Sequence, residues 1–137
     1  MNDFFANWYE LFGLINGFSD DMYNQELYVP IGFCMVLIPI IALTLYYYVI
    51  NSVRLSKWWQ WLLLVVIICA VNFAIAYGVS YRGILEEYLA SDTLPEYSLA
   101  IDCLTFACIN TSWCFVISFV WSLIIKWGSS HCRRTPF

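Results

Sequence analysis

Asp102 is the one ionisable side chain inside a hydrophobic stretch of this sequence. A carboxyl at such a position is a default candidate for ion or proton handling. It stands about one turn inside the boundary of its stretch, within reach of headgroup water and of the first-turn amides of its own helix. Asp102 therefore reads as an interfacial or ion-handling acid. A proton relay needs further acids or histidines at depth, and the stretches contain none. Six cysteines raise redox and metal chemistry. Cys34, Cys69, Cys103, Cys108 and Cys114 lie in hydrophobic stretches and Cys132 in the tail, without a Cys-x-x-Cys pair. Buried cysteine usually acts as a small hydrophobe. Cys34 and Cys103 fall at the same end of their helices, where a disulfide is geometrically conceivable. His131 and Cys132 are too few ligands for a structural zinc site. Serine hydrolysis in the membrane would need a histidine at depth, an aspartyl mechanism a second acid, and phosphate chemistry a Gly-rich loop. None is present, so neither an enzyme nor a cofactor is expected.

The elements that hold these residues follow from composition. Of 137 residues, 62% are hydrophobic and 12% charged, against about 25% charged in a soluble domain. Three stretches reach the roughly 20 residues that a bilayer crossing needs. The expected architecture is an all-α integral membrane protein with three transmembrane helices preceded by an amphipathic interfacial helix. Its segments are an outer helix and acidic linker over 1–26, spans over 27–50, 58–79 and 99–125, a cytoplasmic loop over 51–57, an outer acidic loop over 80–98 and a basic tail over 126–137. The N-terminus has neither the basic n-region nor the apolar core of a cleavable signal, and no lipidation motif is recognisable.

Basic residues set the orientation. Arg54 and Lys57 lie between the first two spans, and Lys126, Arg133 and Arg134 follow the third, whereas the other side has only Arg82. The ten acids fall on the side of Arg82 or, for Asp102, at its edge. This predicts an N-terminus outside, a C-terminus in the cytoplasm, and a cell (inner) membrane location. Tyr46, Tyr47, Tyr48, Trp58, Trp59 and Trp61 mark the cytoplasmic interface, Tyr77 and Tyr81 the outer one, and Trp127 the inner end of the third span. So few basic groups, set against the membrane, argue against nucleic-acid binding.

Phe4, Trp8, Leu11, Ile15 and Phe18 recur at spacings of three and four, which predicts one helix over residues 3–18, capped by Asn2 or Asp3 and ended by Gly17. Phe4, Trp8, Leu11 and Ile15 are its expected face toward the interface or a protein partner, with packing on the chain's own bundle as the alternative. Ile84, Leu85, Tyr88 and Leu89 predict a short helix in the second outer loop, ending before Pro95 and docking on the N-terminal helix.

Small and polar residues mark where membrane helices pack, and a three-helix monomer packing on itself explains most of the stripes in this chain, with other chains as the further candidates. In the third span Cys103, Ala107 and Thr111, then Cys114, Ser118 and Ser122, form a stripe bordered by Asn110. In the second, Ala70, Ala74 and Gly78 oppose Cys69, Asn72 and Ala76, and two small faces imply two helical neighbours. Asn72 and Asn110 each need a partner, either the other or a second subunit. Pro39 is expected to kink the first span, while Pro30 is tolerated in its first turn.

The expected function is helix–helix assembly as a non-catalytic subunit or anchor of a larger membrane complex, with other membrane subunits or further copies as partners. Ala107→Leu or Ser118→Leu would then abolish assembly. Two alternatives stand beside it. Three spans and a basic tail are similar to the topology of phage holins, which implies a homo-oligomeric pore lined by the third span's stripe. Size and topology also resemble small three-span bacteriocin immunity proteins, which implies interception of a toxin in the membrane.

Overall fold

A computed structural model describes residues 2–11, 17–50, 58–92 and 97–126. Its elements are α1 (Asn2–Glu10), α2 (Gly17–Asn24), α3 (Tyr28–Thr44) continued by a π-helical segment (Leu45–Ile50), α4 (Trp58–Ser91) and α5 (Leu99–Ile125). Ile15, Arg54, Lys57, Pro95, Trp127, His131, Cys132, Arg133 and Arg134 lie outside the described residues. Three helices are long and apolar enough to cross a membrane: Tyr28–Tyr48, Trp58–Ser91 and Leu99–Ile125. The end carrying the 51–57 connection is called here the basic end, and the opposite one the acidic end.

The α4–α5 seam is an antiparallel ladder. Ser80 meets Cys103, Asn72 meets Asn110, Cys69 meets Cys114 and Trp61 meets Ser122. Steps of 8, 3 and 8 residues down α4 meet steps of 7, 4 and 8 along α5, so the pairing keeps its register to within one residue over about 28 Å. The buried residues of α4 (Trp61, Val65, Ile68, Asn72, Ala76, Ser80 and Ile84) repeat mostly by four. Those of α5 include Cys103, Ala107, Asn110, Cys114, Ser118 and Ser122. Small side chains let the two backbones approach. Their hydroxyls are satisfied within their own helices: Ser80, Thr111 and Ser118 each donate to the carbonyl four residues back, at 2.7–2.8 Å.

α3 runs parallel to α5 and is pinned near the basic end. Trp121 Nε1 donates to Thr44 Oγ1 at 3.1 Å, and Tyr48 Oη to the Ile125 carbonyl at 3.3 Å. Trp61, expected as an interface marker, is buried and donates Nε1 to Ser122 Oγ at 2.9 Å. Buried Pro39 lies within α3, which continues beyond it. Pro39 supplies no N–H to the carbonyl of Met35.

Two expected boundaries change. α4 does not stop at residue 79 but continues to Ser91, some 34 residues and about 50 Å. The Ile84–Leu89 pattern is in register with the buried face of α4, and no proline separates them, so one helix that carries Gly83 is cheaper than two. It ends at Asp92, whose φ is 53°. The N-terminal region likewise is not one helix: α1 ends at Glu10 and a second helix opens at Gly17.

α2 caps the acidic end. Asp21 Oδ2 accepts the Tyr88 hydroxyl at 2.8 Å and the Tyr97 hydroxyl at 2.5 Å, while Gln25 donates to Glu87. Burial and the Asp21 carboxylate push the Tyr97 hydroxyl well above its ordinary pKa. Gly83 makes room for Leu27, since a Cβ there would stand 2.7 Å from Leu27 Cδ1. Asn2 Nδ2 donates to the Tyr23 carbonyl at 2.8 Å and the Tyr23 hydroxyl to Asp3 at 2.5 Å, tying α1 to α2.

The turn from α2 into α3 is a Schellman motif: Leu27 N–H bonds the Met22 carbonyl and Glu26 N–H the Tyr23 carbonyl, both at 3.1 Å. Its left-handed position is occupied by Glu26, at φ 54°. A side chain there costs energy that glycine avoids. Glu26→Gly should therefore raise stability by about 1 kcal/mol, read as a higher thermal midpoint in detergent. A lower midpoint would mean that the carboxylate of Glu26 outweighs its backbone strain.

Candidate functional site

α1 enters the cleft between α3 and α5. Phe5, Ala6 and Tyr9 are buried and Trp8 is half-buried. Trp8 stacks on Trp113 with ring centroids 4.8 Å apart, and the Tyr9 ring lies 4.6 Å from that of Phe106. The Phe5 ring lies over Gly32, where a Cβ would overlap it. The expected face is therefore rotated. Phe4 is 58% and Leu11 74% exposed, while Phe5 and Tyr9, one turn apart, make the contact. The cause is steric: the cleft has Gly32 on one wall and Asn110 on the other, and Phe5 and Tyr9 match that pair.

The Tyr9 hydroxyl donates to Asn110 Oδ1 at 2.7 Å, and Asn110 Nδ2 donates to the Asn72 backbone carbonyl at 3.3 Å. Asn72 Nδ2 donates to the Ile68 carbonyl at 3.2 Å. Tyr9 Oη also lies 3.6 Å from Met35 Sδ, but with one proton to give its main acceptor is Asn110. Four helices thus meet at one polar centre. It lies about 16 Å along α5 from Leu99, counting eleven residues of helix rise. The two asparagines meet inside the chain. Tyr9 was not among the residues singled out from the sequence; its signal was a polar-tipped aromatic one turn from Phe5 on a helix otherwise rich in ring side chains. Asn72 Oδ1 is buried without a hydrogen-bond partner.

The remaining site residues separate into two groups. Cys103, Ala107, Asn110, Cys114, Ser118 and Ser122 belong to the chain's own seam, with Thr111 half-buried at its edge. Bulk at Ala107 or Ser118 thus acts first on the bundle itself. Ala70 and Ala74 are exposed, and a Cβ on Gly78 would meet nothing within 4 Å. Of the two small faces on α4, Asn72 and Ala76 are consumed and Ala70, Ala74 and Gly78 are not. Cys69 lines a groove of about 480 Å³ with Val65, Val66, Thr111, Ser112, Phe115 and Val116. Cys34 and Cys103 are both free thiols, so the conceivable disulfide is not formed. Asp102 is half-buried in the first turn of α5, where the helix dipole favours a carboxylate. Among the described residues no group of three or more His, Cys, Asp or Glu is placed to hold a metal ion.

Comparison with family models, curated proteins and solved structures returns no match for this chain.

Proposed function

We propose that this chain works by helix–helix assembly, as a non-catalytic subunit or anchor of a larger membrane complex. In this reading the N-terminus and acidic end lie outside, the basic end lies in the cytoplasm of a cell with an inner membrane, and the partners are other membrane subunits or further copies. The observation that carries it is the outward face of α4. Ala70, Ala74 and Gly78 repeat at four-residue spacing, and the chain's own packing leaves them open. In lipid, small residues at this spacing gain most from a neighbouring helix, whose backbone they allow to approach. The immunity reading shares this requirement for a helical partner but adds a specific toxin. The pore reading draws less support, because its polar stripe on α5 is occupied by α4.

The test is purification in mild detergent with native mass determination, comparing the wild-type chain with Ala74→Leu/Gly78→Leu. The wild type should carry partners at fixed ratio. The double variant should lose them while keeping its helical content and thermal midpoint, because neither side chain enters the bundle. Ala107→Leu serves as the contrast. It overpacks the seam and should cost about 1–3 kcal/mol of stability. Assembly that survives Ala74→Leu/Gly78→Leu would sink the proposal for this face.

A further inference from the structure

Cys69 and Cys114 face each other across the α4–α5 seam, with their thiols in side-chain contact. The neighbouring rungs of the ladder place them there as well. Asn72 meets Asn110 one turn toward the acidic end, and Trp61 meets Ser122 toward the basic end. From this arrangement we infer that the pair is a modification site: a dithiol that an organic hydroperoxide dissolved in the bilayer oxidises to an interhelical disulfide.

Three observations carry this. The first is backbone approach. A disulfide needs Cα atoms within about 7 Å of each other. One turn away, the short side chain of Asn110 reaches the Asn72 backbone carbonyl at 3.3 Å, so the two helices run close together at this level. The second is asymmetry of access. Cys114 is fully buried, whereas Cys69 is half-buried and lines the groove of about 480 Å³. Phe115 and Val116, both exposed, line the same groove. A reagent arriving from the lipid therefore meets Cys69 first, with Cys114 as the thiol behind it. The third is depth. Cys69 stands about 17 Å of helix from the start of α4, near the middle of a hydrocarbon core about 30 Å thick. An oxidant working there must be uncharged and leave as a neutral product, which a hydroperoxide does. Cys103, by contrast, faces the Ser80 hydroxyl across the seam.

The chemistry has two steps. The Cys69 sulfur attacks the terminal oxygen of the hydroperoxide and the O–O bond breaks. That oxygen stays on sulfur as a sulfenic acid, and the thiol proton leaves with the other oxygen as an alcohol. The Cys114 sulfur then attacks the Cys69 sulfur, the S–S bond forms, and the departing hydroxyl takes the Cys114 proton as water. Two thiols and one hydroperoxide become one disulfide, one alcohol and one water. The bridge fastens α4 to α5 one turn from the Asn72–Asn110 pair. The site does not rest on the assembly reading, since it needs only the seam and the groove.

The experiment uses the full chain in dioleoyl-phosphatidylcholine vesicles, treated with cumene hydroperoxide, digested with trypsin without reductant and read by mass spectrometry. Fragments 58–82 and 83–126 should be joined through Cys69 and Cys114, with the loss of two hydrogens and reversal by dithiothreitol. In Cys114→Ser the bridge should be lost and dimedone should label Cys69, trapping a sulfenic acid that no thiol resolves. In Cys69→Ser the Cys114 thiol should stay unmodified. Bridging of Cys69 to Cys103 or Cys108 instead overturns the site. So does oxidation confined to other cysteines, or a Cys69 label as strong in the wild type as in Cys114→Ser. Should either variant fail to fold, the wild-type digest decides: a Cys69–Cys114 bridge supports the proposal and its absence refutes it.

Discussion

Asn110→Leu should detach the N-terminal helix from the bundle. The substitution leaves the Tyr9 hydroxyl buried without its acceptor, and the seam loses the donor to the Asn72 carbonyl. An unmet buried hydroxyl costs about 1–3 kcal/mol. The cheapest relief is for α1 to leave its cleft, since only the weak 3.6 Å contact of the Tyr9 hydroxyl with Met35 Sδ remains there and the ties of Asn2 and Asp3 run to α2 at the acidic end. Hydrogen exchange of the α1 amides should accelerate about 5- to 150-fold. Exchange in the α4–α5 ladder should change far less, because Ser80–Cys103 and Trp61–Ser122 remain. Tyr9→Phe strands the other partner, Asn110 Oδ1, and should have a similar cost. The double variant Tyr9→Phe/Asn110→Leu should cost less than the two single changes together, as expected for residues in direct contact. Simple additivity would mean that the 2.7 Å bond does not hold α1 in place.

Gly32→Ala carries the second large effect, and its sign depends on one ring. In a helix interior alanine is ordinarily favoured over glycine by about 1 kcal/mol. Here the new methyl group would overlap the Phe5 ring, including Cγ, the ring atom nearest the backbone. A rotamer change cannot relieve a clash so close to Cβ, so α1 itself must shift. Overpacking of this kind costs about 1–3 kcal/mol, enough to reverse the alanine preference. In a Phe5→Ala background the clash is gone, and Gly32→Ala should become neutral or stabilising. Thermal unfolding of the four proteins in one detergent reads this reversal. A destabilisation that persists with Phe5→Ala would show that Gly32 serves some purpose other than admitting Phe5.

Both predictions concern α1, where the residues were hardest to place from sequence. Phe4 and Trp8 are spaced for one face of α1, yet Phe5 and Tyr9 have the same four-residue spacing on the adjacent strip. With rings on both strips, periodicity identifies a helix but not which strip turns inward. A flat interface would have taken the broader apolar strip. A cleft with glycine on one wall and an amide on the other takes the strip with a flat ring and a hydroxyl. The same limit applies to α4: Ala70–Ala74–Gly78 and Asn72–Ala76 are both credible packing strips, and local pattern alone does not rank them.

The presence and starting points of the three long helices, and the separation of basic from acidic residues along the chain, are local or additive properties, so the order of residues alone determined them. A run of about 20 apolar residues is required by bilayer thickness whatever lies beside it. Which small face of α4 is covered, that Asn110 meets both Asn72 and Tyr9, and that α1 enters the cleft rather than resting along the interface were decided by the tertiary structure. Each depends on residues far apart in sequence, Tyr9 and Asn110 by 101 positions, whose complementarity exists only after the helices have set the width of the gap between them.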